Sequence, residues 1–244
     1  MKKLFIKLIG IIKPYLTREL LYLTFAVASI MIYKYLSFDP SVHTFVRESI
    51  FGIKTTNQME LDYWMYMIWF TSSFIYLFVI PFLSGLLLEG KNVFKKLGLT
   101  FGNYKVGLPL LAGAFVLMAI AITVAVKVFP DFKLYYPFAK HAVSSVSLFF
   151  FFELAYFSYF LGWEFFSHSF VLFPYEEKFG KGAILLYILP FVLMHHGKPI
   201  PEVIGSFVAG VFLAVLALET RSFWYGMLLH GFVAIFMDIA VTYF

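Results

Sequence analysis

Residues 148–173 read LFFFFELAYFSYFLGWEFFSHSFVLF, and this stretch decides the fold. It exceeds the about 20 apolar residues that an α-helix needs to cross the hydrocarbon of a bilayer. Lipid offers the backbone no hydrogen bonds, so such a run is expected to be a membrane-spanning helix. Glu153, Glu164 and His168 interrupt it where ionisable groups are expensive.

Working outward, comparable apolar runs occupy residues 19–37, 63–88, 106–128, 183–196, 202–219 and 223–243, and with residues 147–173 they make seven candidate segments. The fifth, 183–196, is short, contains Pro190 and runs into HHGKPIPE, which suggests a broken span lining a cavity. The expected fold is an all-α, polytopic transmembrane bundle of about seven or eight membrane segments, forming one membrane-embedded domain over residues 1–244. Within it, residues 19–88 hold two amino-terminal spans and residues 90–243 a core. The start, MKKLFIKLIGIIKPYL, alternates lysines with large aliphatic residues and lacks a small-residue cleavage site. Residues 1–18 are therefore expected to lie in the interface as a basic amphipathic helix ended near Pro14.

Composition agrees. Of 244 residues 61% are hydrophobic and only 14% charged, with a mean hydropathy of +0.86, whereas soluble domains carry about 25% charged residues. Without cysteine there is no disulfide framework, thiolate nucleophile or thiolate metal site. The net charge of +5 comes from basic residues that flank apolar runs, not from a compact basic domain, so no nucleic-acid partner is expected. Lys91, Lys95, Lys96, Lys105, Lys178, Lys181 and Arg221 fall on the same side as the basic amino terminus. Lys34, Arg47, Lys54, Lys127, Lys133, Lys140 and Lys198 fall on the other. By the positive-inside rule the amino terminus is expected to be cytoplasmic, in an integral protein of the bacterial cytoplasmic membrane.

The costly polar residues cluster late in the chain. Glu164 and His168 lie four apart on one helical face. The fifth segment ends in His195 and His196, and the last carries His230 and, eight residues on, Asp238. Counted at 1.5 Å per residue, Glu164, His195 and His230 lie about 12, 18 and 10 Å from the cytoplasmic ends of their segments. Three helices thus bring ionisable groups to similar depth, in a polar pocket expected to open towards the cytoplasm. Taken singly, His168, His196 and Asp238 read better as interhelical hydrogen-bonding residues. Glu202, beside Pro201, reads as a helix-start residue that could become a substitute carboxylate if its loop folds back.

The order of these residues resembles the CAAX protease and bacteriocin-processing, or Abi, family of intramembrane proteases. The likeness covers about residues 90–240: a Glu on one span, Phe191-x-x-x-His195 on the next, and His230 after ETRSFWYGMLLH. The family's first motif is two adjacent glutamates followed by x-x-x-Arg, and here Trp163 precedes Glu164 and His168 stands at the Arg position. Its third motif is His-x-x-x-Asn, and Ala234 stands at the Asn position. The resemblance implies an endopeptidase in which a first-motif Glu and His195 activate water while His230, with an amide, holds the oxyanion; with Trp163 at the first Glu position, one repair is that Glu164 takes over as base and His168 orients it. Its substrate would be a membrane-associated peptide or protein.

Three alternatives remain open at this stage. Glu164, His168, His195 and His230 could bind a divalent metal such as zinc that activates water. A non-catalytic family member could hold a peptide in the cavity or act as a bacteriocin-immunity-type protein. A transporter could use Glu164, His195, His230 and Asp238 as a proton relay. The sequence assigns no oligomeric state.

Overall fold

The computed structural model describes residues 10, 11 and 13–244. The expected interfacial helix of residues 1–18 falls mostly outside the described residues. Of its end, Lys13–Tyr15 forms a 3-10 turn around Pro14.

Helix α1 spans Arg18–Ser37 and starts where the Thr17 side chain accepts a hydrogen bond from the Leu20 N–H, satisfying a donor that no helical carbonyl reaches. Helix α2, Gln58–Ser73, is capped in the same way by Asn57. It continues through a π-helical segment, Phe74–Val79, into α3, Ile80–Glu89. Helix α4 is Tyr104–Val128. Helix α5, Val146–Phe165, is capped by Ser145 and passes through a second π segment, Phe166–Leu172, into α6, Phe173–Phe179. Gly180, at φ +54°, breaks that line, in a conformation that residues with a Cβ rarely adopt. Short helices cover Pro40–Phe45, Val93–Lys96 and Asp131–Tyr135, and the remaining longer ones are α7, Ala183–Leu193, α8, Ile200–Thr220, and α9, Trp224–Tyr243. Among the described residues there is no strand, so the all-α bundle expected from hydropathy is what forms.

Among the described residues six helical runs are long and apolar enough to cross a membrane. The fifth expected segment departs from the reading of seven or eight. It is the 11-residue α7, about 16 Å long, followed by a turn that carries His195 and His196. Pro190 sits inside this helix without ending it.

Polar pairs sort the helix ends. At one end Arg18 binds Glu89, Lys96 lies 2.5 Å from Glu177 and Arg221 lies 3.0 Å from Glu176. At the other, the Tyr63 hydroxyl donates to the Leu148 carbonyl at 3.2 Å and Tyr136 reaches Glu202. The chain therefore alternates ends, with α7 and its turn as a short return between α6 and α8. Lys91, Lys95, Lys96, Lys178, Lys181 and Arg221 share the end at which α1 begins, which is hereafter the lysine-rich end.

Among the described residues three buried clusters hold the bundle, the smallest packing Ile122 and Val126 of α4 and Phe132 and Tyr136 against Met237 and Ala240 of α9. Another joins α1, α2 and α3 to α5 through rings such as Tyr22, Phe70, Phe152, Tyr156 and Phe165. The third gathers α4, α7, α8 and α9 around Tyr187, Phe191, Leu213 and Leu229. Lipid is as apolar as leucine, so close packing supplies the attraction between helices. Gly162 shows it: a Cβ there would lie 2.6 Å from the Ser73 carbonyl oxygen, where α5 meets the end of α2.

Candidate functional site

Glu164 sits one residue before the end of α5, where the helix loosens into the π segment that carries His168. Such widened turns recur at functional sites because they re-aim side chains within a helix. Here the result is a fully buried constellation, Glu164 and His168 both being 0% exposed. The His168 Nδ1–H faces two acceptors, the Glu164 carbonyl at 3.0 Å and Glu164 Oε2 at 3.1 Å. The Tyr187 hydroxyl approaches the same Oε2 at 3.4 Å from α7, and its ring stacks on His168 with centroids 4.7 Å apart.

The second carboxylate oxygen serves α9. His230 Nδ1 lies 2.5 Å from Glu164 Oε1, a contact between an imidazole N–H and a carboxylate that becomes charge-assisted when the ring is protonated. The approach depends on Gly226, one turn earlier, where a Cβ would stand 2.8 Å from His168 Cε1 and 3.5 Å from Glu164 Oε2.

His195 completes the group from the turn after α7. Its Nδ1 lies 2.7 Å from the Phe191 carbonyl, which can only accept, so Nδ1 carries the proton and Nε2 keeps a lone pair. Its ring lies nearly parallel to that of His230, with 15° between planes and 6.2 Å between centroids. Both histidines line a cavity of about 630 Å³ bounded by α4, α8 and α9. Glu164 and His168 do not line it and stand behind His230.

The cavity runs along apolar faces of α4 and α8 towards Tyr136, Lys198 and Glu202. That is the end opposite the lysine-rich one, so the expectation of a polar pocket opening towards the cytoplasmic lysines does not hold. His195 and His230 do come together, but the faces that α4 and α8 turn inward are aliphatic. Glu202 is engaged where α8 begins and not at Glu164. Lys198 Nζ donates to Glu202 Oε1 at 2.7 Å, and the Tyr136 hydroxyl lies 2.8 Å from both Glu202 oxygens. Burial, with Glu202 adjacent, holds that hydroxyl protonated well above its ordinary range, so it is the donor. Glu202 thus keeps its place in the first turn of α8 and also lines the cavity, remote from Glu164.

Asp238 does not join the histidines. It is fully buried and faces Glu153 of α5, and neither carboxyl has another hydrogen-bond partner in the protein. His196 is exposed. The proton relay through Asp238 therefore lacks a continuous set of groups.

The zinc alternative does not fit either. Among the described residues no three His, Asp or Glu side chains gather as a ligand set. With the Nδ1 atoms of His168 and His230 on Glu164 and that of His195 on a carbonyl, only the Nε2 atoms of His195 and His230 are left towards the cavity, two donors where a zinc site takes at least three protein ligands.

Sequence reasoning passed over Tyr187 and Tyr156. Tyr187, Phe191 and His195 recur every four residues, and their rings follow one another at 5.4 and 4.9 Å, the first pair stacked and the second tilted, so the spacing was there to read. Tyr156 lines the cavity with its ring 4.9 Å from that of Phe160, and nothing in its aromatic surroundings marked it.

Residues 145–236 match the family model described as type II CAAX prenyl endopeptidase Rce1-like. No curated protein and no solved structure matches the chain. The matched residues contain Glu164, His168, His195 and His230, and begin after α4.

Proposed function

With a segment of the CAAX endopeptidase-like family spanning α5 to α9, we propose that the chain is an intramembrane endopeptidase that cleaves a membrane-associated peptide or protein. The observation that carries this reading is the pair of cavity-lining imidazoles, His195 and His230, with a buried carboxylate behind one of them.

The chemistry follows from the tautomers. Glu164 accepts the His230 Nδ1–H and leaves Nε2 as a base towards the cavity, and the Phe191 carbonyl does the same for His195. A water between the two Nε2 atoms loses its proton to His230 as its oxygen attacks the scissile carbonyl. The imidazolium so formed is stabilised by the Glu164 carboxylate. The proton then passes to the departing amine as the C–N bond breaks. Tyr156, another residue of the cavity wall, supplies the neutral hydroxyl donor for the oxyanion. This assigns water activation chiefly to His230, where the family resemblance gave that part to His195 with a glutamate. The reason is that Glu164 contacts His230 and not His195.

Substrate reaches the site from the bilayer. Small residues at the cavity wall, among them Gly113, Ala114, Gly205 and Ala209, leave room between α4 and α8, and a Cβ at Gly113 or Gly205 would meet nothing within 4 Å. On the excess of lysines at the end where α1 begins, we place the amino terminus on the cytoplasmic side of a bacterial cytoplasmic membrane.

A binding-only protein is the second reading, favoured by Trp163 and Ala234 at positions where the family motifs carry Glu and Asn. Purified chain in vesicles, incubated with solubilised membrane proteins, separates the two. The protease releases new peptides that the His230→Gln chain does not. The binding protein releases none, and retains the same partners in wild type and variant.

A further inference from the structure

A second concavity, of about 480 Å³, lies at the lysine-rich end, away from the histidines. It is enclosed by the first turn of α1, the segment between α3 and α4, the start of α6 and the α8–α9 turn. Its charged lining is Arg18, Lys95, Lys96 and Arg221 against Glu176 and Glu177.

Three of the four cations are held in place by carboxylates. Arg18 binds Glu89, Lys96 lies 2.5 Å from Glu177, and Arg221 NH2 meets both Glu176 oxygens at 3.0 Å. Each keeps unused donors, since a guanidinium has five N–H groups and an ammonium three. Among the described residues Lys95 has no acidic partner at all. Counting Glu89 with the lining carboxylates, four positive charges face three negative ones. One positive charge is left over, with several N–H donors fixed around a cavity. The floor is apolar, from Tyr22 and Phe173. The position is the level of the helix ends, where a bilayer presents its headgroups, and basic pockets between helices at that level recognise phospholipid phosphates.

We propose that this concavity binds the headgroup of an anionic phospholipid, with the phosphodiester on Lys95, Arg18 and Arg221 and the first part of an acyl chain against Tyr22 and Phe173. One bound phosphodiester neutralises the leftover charge. The site would tie α1 to the later helices through a lipid as well as through the Arg18–Glu89 pair. The Phe173 ring lies 6.5 Å from that of His168, so an occupied pocket braces the wall behind Glu164.

The test uses the full chain in delipidated detergent, with its melting midpoint followed as phosphatidylglycerol, phosphatidylcholine or inorganic phosphate is added. Lys95→Gln removes an exposed, unpaired lysine of the pocket, and Lys105→Gln removes a lysine at the same end that does not line it. Phosphatidylglycerol should raise the wild-type midpoint more than phosphatidylcholine does. Lys95→Gln should cut that rise by about 2–4 °C, the value of one lysine–headgroup contact in a chain of this size. Lys105→Gln should leave it unchanged. Equal rises in both variants, an equal rise with phosphatidylcholine, or no rise at all would overturn the proposal. An equal rise with inorganic phosphate would overturn it in favour of a free-anion site.

Discussion

Replacing Glu164 by Gln tests how the candidate site works while preserving its shape. The carboxylate accepts from His230, His168 and Tyr187 at 2.5, 3.1 and 3.4 Å, entirely out of solvent. A glutamine has one accepting oxygen and one donating nitrogen, so it cannot accept from both imidazoles. If its amide nitrogen faces His230, that ring must turn its lone pair to Nδ1 and carry its proton on Nε2. The base in the cavity then becomes a donor. Losing one charge-assisted hydrogen bond to the imidazolium is worth about 1.5–3 kcal/mol, or about 10–150-fold in rate at about 1.4 kcal/mol per tenfold. The wrong tautomer brings the expected loss to about 10²–10⁴-fold. The assay is the cleavage rate of the first identified substrate in vesicles, with the imidazole ¹⁵N shifts of His230 read in parallel. Wild type should show His230 protonated at Nδ1, and the variant should show the proton at Nε2. In the proposed mechanism Glu164 acts through His230, so Glu164→Gln should cost almost nothing more in a chain that already carries His230→Gln. A full further loss in the double variant, or wild-type cleavage by Glu164→Gln alone, would refute the reasoning.

Other consequences are local. Gly226→Ala should lower stability by about 1–3 kcal/mol through overpacking against His168, seen as a lower melting midpoint in detergent together with slower cleavage. Gly113→Ala, with nothing near its Cβ, should gain about 0.5–1 kcal/mol of helix stability while narrowing the gap between α4 and α8, so its melting midpoint and substrate KM should both rise. Asp238→Asn should raise the melting midpoint by a few degrees, because it removes one of two facing buried carboxyls that lack other partners; a fall would mean that the pair stabilises the α5–α9 contact. Tyr136→Phe should cost about 1–3 kcal/mol by leaving Glu202 without its buried donor, again read from the melting midpoint.

The boundaries of the long helices were legible because hydropathy alone sets them. The runs at 19–37, 106–128, 202–219 and 223–243 lie within two residues of Arg18–Ser37, Tyr104–Val128, Ile200–Thr220 and Trp224–Tyr243. The π segments at Phe74–Val79 and Phe166–Leu172 were not legible, since an added residue in a turn changes neither hydropathy nor composition. That hidden turn matters most at His168, whose spacing from Glu164 predicted a shared face but not a carboxylate divided between two imidazoles. Pairing between helices depends on how each is rotated about its axis, and one sequence does not encode that openly. Asp238 shows the limit. It is eight residues from His230, about 12 Å of helical rise, far enough to face Glu153 instead of the histidines. Glu202 shows it from the other side, as a helix-start residue whose side chain also closes one end of the cavity.

The central claim is that this chain hydrolyses peptide bonds in the membrane with His195, His230 and Glu164. It is tested most directly by comparing protein termini in membranes that contain wild type, Glu164→Gln or His195→Ala at matched levels. The account predicts a set of new termini present with wild type and lost in both variants, all three chains being folded and membrane-inserted. Identical termini across the three membranes would contradict it.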